Sequence, residues 1–222
     1  GPGRLGHIGE GLLGPTLIAH GTDEQKERFL GPIAAVKELW CQGYSEPGAG
    51  SDLAAIRTRA ERQGDRWVIH GQKVWTSHAQ RAQWAFVLVR TEPGSTRHAG
   101  LSYLLVPMNQ PGVEIRPIVQ PTGEEDFNEV FFDGAQTEAR WIVGAPGDGW
   151  RIAMATLAYE RGTSTLAQQL SFANELDGII NAARRNGSIA KPIIQQRLTQ
   201  ASMELAAMRW STLRMLQGML GG

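Results

Sequence analysis

Residues 41–52 read Cys41-Gln42-Gly43-Tyr44-Ser45-Glu46-Pro47-Gly48-Ala49-Gly50-Ser51-Asp52, and residues 70–77 read His70-Gly71-Gln72-Lys73-Val74-Trp75-Thr76-Ser77. In the first stretch, glycines and small hydroxyl residues let backbone amides approach a bound anion or ring edge. A tight surface turn between strands has the same composition, so this stretch alone does not decide between the two. It is not a dinucleotide fingerprint: no G-x-G-x-x-G opens a helix within a βαβ unit, and no G-x-x-x-x-G-K-[ST] is present to hold a nucleoside triphosphate.

Around these stretches, from about Trp40 to Trp141, short β-branched and aromatic runs such as Arg66–His70, Ala85–Val89 and Glu129–Phe132 predict strands. Turn-forming groups separate them: Glu46-Pro47-Gly48, Gln63-Gly64-Asp65, Gly71-Gln72, Glu92-Pro93-Gly94-Ser95 and Gln110-Pro111-Gly112. About eight strands at this spacing predict a compact antiparallel sandwich or barrel. Six of the seven tryptophans lie between residues 40 and 150, which sets this middle section apart from both ends.

The flanks read as helices. Leu12–His20 predicts part of one, and Thr22-Asp23-Glu24-Gln25 has the spacing of a capping box before another, which Gly31-Pro32 is expected to end. Helical periodicity returns after Gly147-Asp148-Gly149. From Pro192 onward Leu198, Ala201, Leu205, Met208, Met215 and Met219 keep three-and-four spacing, an apolar stripe that needs partner helices. These boundaries give residues 1–39 as the end of an N-terminal helical domain, 40–146 as a central β-domain and 147–222 as the start of a C-terminal bundle. The chain is expected to be a fragment.

Bulk properties narrow the function classes. The 222 residues carry 22 Lys plus Arg against 22 Asp plus Glu, a net charge of zero with no basic block suited to nucleic acid or an anionic membrane. A single cysteine, Cys41, makes no internal disulfide, and the five histidines form no zinc-ligand spacing, so no metal site is expected. With no apolar run near the roughly 20 residues of a membrane span and no leader pattern at Gly1–Gly11, the expected location is cytoplasmic.

Taken together, in this order and at this separation, the two opening stretches closely resemble the middle-domain signatures of acyl-CoA dehydrogenases, commonly written T/S-E-P-x-A-G-S-D and G-x-K-x-W-I/T-T/S. The resemblance extends outward. His20–Lys26 with Phe29-Leu30 is similar to the helical segment before the family's β-domain, Phe127–Asp133 to its last strand region, and Gly147–Trp150 to the start of the following helix. It implies an α+β fold with N-terminal helices, a central antiparallel β-barrel or sandwich and a C-terminal helical bundle, truncated here at both ends. It also implies α,β-dehydrogenation of an acyl-CoA thioester with FAD as cofactor, in fatty-acid, lipid or steroid catabolism. An electron-transfer flavoprotein or similar acceptor is the implied partner, and a homo- or hetero-oligomer, dimer or tetramer, the implied assembly.

Carried over residue by residue, the resemblance places Gln42, Gly43, Tyr44, Ser45, Gly50 and Ser51 along the isoalloxazine ring and ribityl chain, with Ser51 also facing the acyl-CoA. Trp75, Thr76 and Ser77 close the flavin's other side. Without the flanking motif, Trp75 reads as a core tryptophan of a sheet. The family places its base in either of two sequence positions, and Leu157-Ala158-Tyr159-Glu160-Arg161-Gly162 resembles the one on the first long helix after the β-domain. Glu160 is therefore the expected base, with Tyr159 and Arg161 beside the substrate. Ala153, Leu157, Glu160, Ser164 and Ala167 also share one small-residue helical face. An exposed glutamate paired locally with Arg161 is the plainer reading of the same position.

A thioester's α-proton is weakly acidic, so the base must lie within hydrogen-bond reach, and desolvation lifts its pKa toward working pH. In the family the thioester carbonyl is polarised by a flavin ribityl hydroxyl and the base's own backbone N–H. Where members often carry Arg-x-x-Phe-Gly and a His-Gln pair, this chain has Arg184-Arg185-Asn186-Gly187 and Ile193-Ile194, a departure at the adenosine end of the FAD site that hetero-oligomeric steroid dehydrogenases could share. Two other functions fit the same scaffold: a flavin monooxygenase or nitroalkane oxidase, and a non-catalytic subunit. His78, His98 and Cys41 read as structural, because no partner constellation is visible.

Overall fold

The computed structural model describes residues 6–220, without the side chains of residues 160–167, 216, 219 and 220. Its contacts divide the chain into two compact units, Gly1–Leu157 and Ala158–Gly222.

The first unit opens with a π-helical turn, Ile8–Leu13, that runs into α1 (Gly14–His20). The capping box forms: Gln25 N–H donates to Thr22 Oγ1 and Thr22 N–H to Gln25 Oε1, starting α2 at Asp23–Ala34. The Gln25 amide also donates to the carbonyls of Arg140 and Ile142, both at 2.7 Å, so the capping residue tethers the helix to the β-domain. Gly31-Pro32 does not end this helix. Pro32 lies within its last turn, and the stop comes at Val36, where Val36 N–H bonds Ile33 O and Lys37 N–H bonds Pro32 O. That is a Schellman cap with a β-branched residue, φ +52, at the position glycine usually takes.

Eight strands follow: β1 (Trp40–Gly43), β2 (Arg59–Gln63), β3 (Arg66–Ser77), β4 (Trp84–Arg90), β5 (Leu101–Pro107), β6 (Val113–Ile118), β7 (Phe127–Glu138) and β8 (Ile142–Val143). The sheet order is β6-β7-β3-β2-β4-β5-β8, with β1 beside β4. It is mixed, not purely antiparallel: β1 runs parallel to β4, and β2 meets β4 in parallel at Arg59–Arg90. The long excursion from Gly43 to Arg59 lets the chain return to the same edge in the same direction, which a tight hairpin could not do.

Phe86 and Leu88 of β4, with Tyr103 and Leu105 of β5, pack toward α1 and α2. Ala85, Val87 and Val89, with Leu104 and Val106, pack toward β2, β3 and β7. Burial on both faces accounts for the unbroken apolar run Ala85–Val89. Three of the six tryptophans of the middle section converge on the helix side, where Phe29 of α2 meets Trp40, Trp84 and Trp141 edge-on at 5.0–5.3 Å. Gly71-Gln72 is no turn but part of β3. A Cβ on Gly71 would lie 2.6 Å from Thr58 Cα, so the glycine admits a crossing backbone where the ladder shifts register.

The helix α3 (Gly149–Arg185) begins in the first unit, where Ile152 and Ala153 join the core. In the second unit, α3 turns at Gly187 (φ +72) and Ser188–Ala190 into α4 (Pro192–Leu220). Leu205 and Met208 of the α4 stripe line an open apolar groove with Phe172, Leu176 and Ile179. The Arg184–Gly187 segment is the C-terminal turn of α3, closed by Ser188 N–H on Asn186 Oδ1.

Val36→Gly should stabilise the protein by about 1 kcal/mol, because a non-glycine residue in the left-handed region costs on the order of 1–2 kcal/mol. Thermal unfolding of the variant checks this. An unchanged or lower midpoint counts against strain at Val36.

Candidate functional site

The two motifs meet through one buried lysine. Lys73, fully enclosed on β3, donates from Nζ to Tyr44 O (3.0 Å) and to Glu46 Oε1 (2.8 Å). The Glu46 carboxylate also accepts from the backbone N–H of Arg57 (2.6 Å) and of Thr58 (3.0 Å), which closes the loop that leaves the first motif. One residue beyond Lys73, Val74 N–H bonds Ser45 O at 2.9 Å. The turn Glu46–Ala49 is thereby clamped against β3.

The electrostatics follow from this geometry. Burial would raise the Glu46 carboxyl, but the Lys73 ammonium and the hydrogen bonds from Arg57 and Thr58 outweigh it and hold the carboxyl below its ordinary value. Burial in turn pulls Lys73 down to about 8, against the attraction of Glu46. The pair is an ionised couple at neutral pH, since both carboxylate oxygens accept hydrogen bonds and the ammonium donates to a carboxylate and a carbonyl.

Past Lys73 the β3–β7 register shifts, and the bulge leaves Trp75 with φ +59 and 60% exposed. The next side chain turns inward: Thr76 is buried, and its Oγ1 has no hydrogen-bond partner among the described residues. Asn128, opposite Thr76 on β7, donates to Thr76 O and Gln80 Oε1 while its own Oδ1 has no hydrogen-bond partner among the described residues. Left-handed φ also marks His78, which ends the strand beside Asp126. An exposed aromatic in a strained conformation beside unpaired polar atoms fits a planar ligand with a polar edge.

The other expected residues divide as follows. Gln42 and Ser45 are half-buried, Gly50 and Ser51 exposed, and Ser77 half-buried. Gly43 is buried against Val87, leaving little room for a Cβ. The Tyr44 ring lies in the core, edge-on to Phe86 and Tyr103, so its main chain is the part left to face a ligand. Thr16, Thr156 and Tyr103 continue that cluster as a buried chain of hydroxyls, and burial, with Tyr44 beside it, holds Tyr103 well above its ordinary pKa. Tyr159 is half-buried in the second unit. The side chains of Glu160 and Arg161 lie outside the described residues.

Glu160 stands in the interior of the 37-residue α3. Interior N–H groups of an α-helix are taken by the carbonyl four residues earlier. The expectation that this residue's own amide polarises the thioester is therefore corrected. Cys41 is buried and its thiol is pushed up to about 12, an inert group; His98 stacks on Trp150 at 4.1 Å. Sequence reading missed Glu46 and Lys73 as a pair, although both stand inside the quoted motifs. Among the described residues no group of His, Cys, Asp and Glu could hold a metal ion, and no helix is long and apolar enough to cross a membrane.

Residues 41–135 match the sequence profile of the acyl-CoA dehydrogenase middle domain, and residues 147–221 that of the acyl-CoA dehydrogenase C-terminal domain. The chain belongs to the acyl-CoA dehydrogenase family, whose members are FAD-dependent flavoproteins. It is 63% identical over 217 residues to the acyl-CoA dehydrogenase IpdE1 of Mycobacterium tuberculosis, covering 98% of this chain and 56% of that protein. Among solved structures it resembles the G363A variant of the Tcur3481-Tcur3483 steroid ACAD, with TM-score 0.88 and 32% identity over 95% of this chain and 55% of that one. It also resembles the ChsE4-ChsE5 complex of Mycobacterium tuberculosis, with TM-score 0.81 and 31% identity over 99% and 58%. The chain thus spans little more than half the length of these relatives.

Glu46→Gln should destabilise the protein by about 3–5 kcal/mol at pH 7, because it leaves Lys73 buried without its counter-ion. The deficit should shrink toward pH 9, as Lys73 sheds its proton. In the wild type, the folded carboxyl's pKa lies below the ordinary 4.5, so its contribution is complete above that pH and fades as pH falls through the folded value. Thermal unfolding at pH 3, 5, 7 and 9 reads both trends; a small loss independent of pH would contradict the pairing.

Proposed function

We propose that this chain forms the flavin- and thioester-facing part of an FAD-dependent acyl-CoA dehydrogenase that removes hydrogen from the α and β carbons of an acyl-CoA. The observation that supports the reading is the clamp that ties Tyr44, Ser45 and Glu46 of the first motif to Lys73 and Val74, the residues directly before Trp75–Ser77. On this reading Gln42, Gly43, Tyr44 and Ser45, with Gly50 and Ser51, hold FAD from one side, largely through main chain and small hydroxyls. Trp75, Thr76 and Ser77 hold it from the other. When bound, FAD supplies the acceptor for the hydride from the substrate's β-carbon.

The chain's own part is binding, orientation and proton removal. Glu160 takes the α-proton as its carboxylate. It works in a dry site, where desolvation raises its pKa toward working pH, and where fixed donors act more strongly on the thioester carbonyl than they would in water. Its amide being committed to the helix, those donors belong to other segments. Ser51 faces the acyl-CoA, while Tyr159 and Arg161 line the approach to it. Trp75, presented outward, shields one face of the site from solvent.

On the same reading the chain contributes residues 1–39 to a helical domain, 40–146 as β-domain and 147–222 to a helical bundle of a longer enzyme that works as an oligomer. Similarity to the Tcur3481-Tcur3483 steroid ACAD and the ChsE4-ChsE5 complex favours a hetero-oligomer and a CoA thioester with a bulky, steroid-type acyl group. Electrons leave to an electron-transfer flavoprotein or similar acceptor. A free, buried Cys41 suits a reducing cytoplasm.

Glu160→Gln in the full-length protein should keep its yellow flavin and its affinity for acyl-CoA while turnover falls about ten-thousand-fold or more. Stopped-flow bleaching by acyl-CoA measures it. Near-normal reduction in the variant rules Glu160 out as base.

A further inference from the structure

Arg90 closes β4 and is half-buried, with neutral acceptors around its whole guanidinium. Nε and Nη2 donate to Ile56 O (both 3.4 Å), and Nη2 also to Ala54 O (3.2 Å) and Arg97 O (3.2 Å). On the other side Nη1 donates to Ser95 O (3.2 Å), Ser95 Oγ (3.0 Å) and Ala99 O (2.9 Å). Its backbone N–H bonds Thr58 O at 2.8 Å. One side chain thus holds carbonyls from two separate segments, the 54–56 stretch and the 95–99 stretch.

Both segments matter by their position. Ala54 lies in the short 3-10 turn Leu53–Ala55 that follows Ser51 and Asp52 directly, and Ile56 caps its end. The 92–99 segment is the loop from β4 to β5, closed by Thr91 N–H on Gly100 O, and it carries Arg97 in a left-handed conformation (φ +53). Its His98 lies over Trp150 at the start of α3. Ser51, Asp52, Arg97 and His98 are all exposed. Among the described residues Arg90 is the side chain that ties the exit of the first motif to this loop by hydrogen bonds to both, and no carboxylate is among its hydrogen-bond partners.

We propose that Arg90 is a positioning residue: its guanidinium fixes the Ser51-bearing segment and the 92–99 loop relative to each other, and so sets the affinity for the acyl-CoA. This rests on the reading of Ser51 as a residue that faces the substrate. Only a planar fork with five N–H groups can span both sets of carbonyls; an ammonium with three donors on a single nitrogen cannot. The effect falls on binding, because Arg90 holds the Ser51-bearing side directly, whereas its 92–99 loop meets α3 at Trp150, ten residues before Glu160.

The test uses the full-length, FAD-loaded protein with any subunit it copurifies with, as wild type, Arg90→Lys and Arg90→Met. Both variants should retain flavin content and keep the saturating rate of flavin reduction within about twofold, while the apparent dissociation constant for acyl-CoA rises roughly tenfold, as expected for displaced positioning groups. Lysine should not rescue. Hydrogen exchange on substrate-free protein should show residues 51–56 and 92–100 losing protection together in both variants. Unchanged acyl-CoA affinity, rescue by lysine, or loosening of one segment without the other would each overturn the assignment of Arg90. A wild type whose flavin no acyl-CoA reduces would instead overturn the dehydrogenase reading, and the exchange data would still report whether Arg90 couples the two segments.

Discussion

The contact on which the rest of the fold's working face depends is the buried pair between Lys73 and Glu46. Its members stand 27 residues apart, Glu46 in the loop after β1 and Lys73 on β3, with Lys73 fully enclosed and Glu46 8% exposed. A pair of apolar side chains of similar volume could fill the space at comparable or lower free energy. What the charges add is a fixed address. Glu46 gathers two backbone amides and one ammonium, Lys73 reaches a carboxylate and a carbonyl, and every one of those partners lies on the loop that leaves β1 or on the strand beside it. Sliding β3 by one residue would bury an uncompensated charge, so the pair pins the register just where the ladder becomes irregular.

That irregularity is then supported from behind. The bulge after Lys73 turns Trp75 outward and leaves Thr76 buried, a conformation that costs on the order of 1–3 kcal/mol in backbone strain. The doubly buried β4 and β5 supply a rigid backing, and Phe29 with its three tryptophans locks the helices to the opposite face. Arg90 is a second cation bonded to irregular backbone: where Lys73 joins one carbonyl and a carboxylate, Arg90 joins the carbonyls of two loop segments and Ser95 Oγ. Two cations thus stabilise irregular backbone on the side where the motif residues emerge.

Much of this architecture was legible in the residues. Thr22 and Gln25 announced a helix start because a capping box is a local device, and the apolar run Ala85–Val89 announced a strand because burial on both faces writes itself into consecutive positions. Gly71-Gln72 misled for the opposite reason: the glycine answers to Thr58, thirteen positions away, and local composition cannot distinguish a close crossing from a turn. Pro32 misled because the true stop, Val36, is a residue type that seldom adopts that geometry. The mixed character of the sheet, set by the long return from Gly43 to Arg59, was likewise hidden. The two motifs could be read as one neighbourhood, yet the pairing of Glu46 with Lys73 and the seven acceptor contacts of Arg90 are properties of the folded chain alone.

Helical geometry also constrains the chemistry. A glutamate at a helix terminus can offer both its carboxylate and a free amide, so one residue can take a proton and polarise a carbonyl. Glu160 stands eleven residues inside α3, where the amide is already committed. If its carboxylate removes the α-proton, the enolate charge that develops on the thioester oxygen must be met by donors on another segment. Base and carbonyl donor then sit on separately anchored pieces of chain, and their relative placement becomes the quantity the fold has to hold. A substitution that shifts the carbonyl donor against the base would lower the rate without touching either group, whereas one that loosens only a binding segment, as at Arg90, would lower affinity instead.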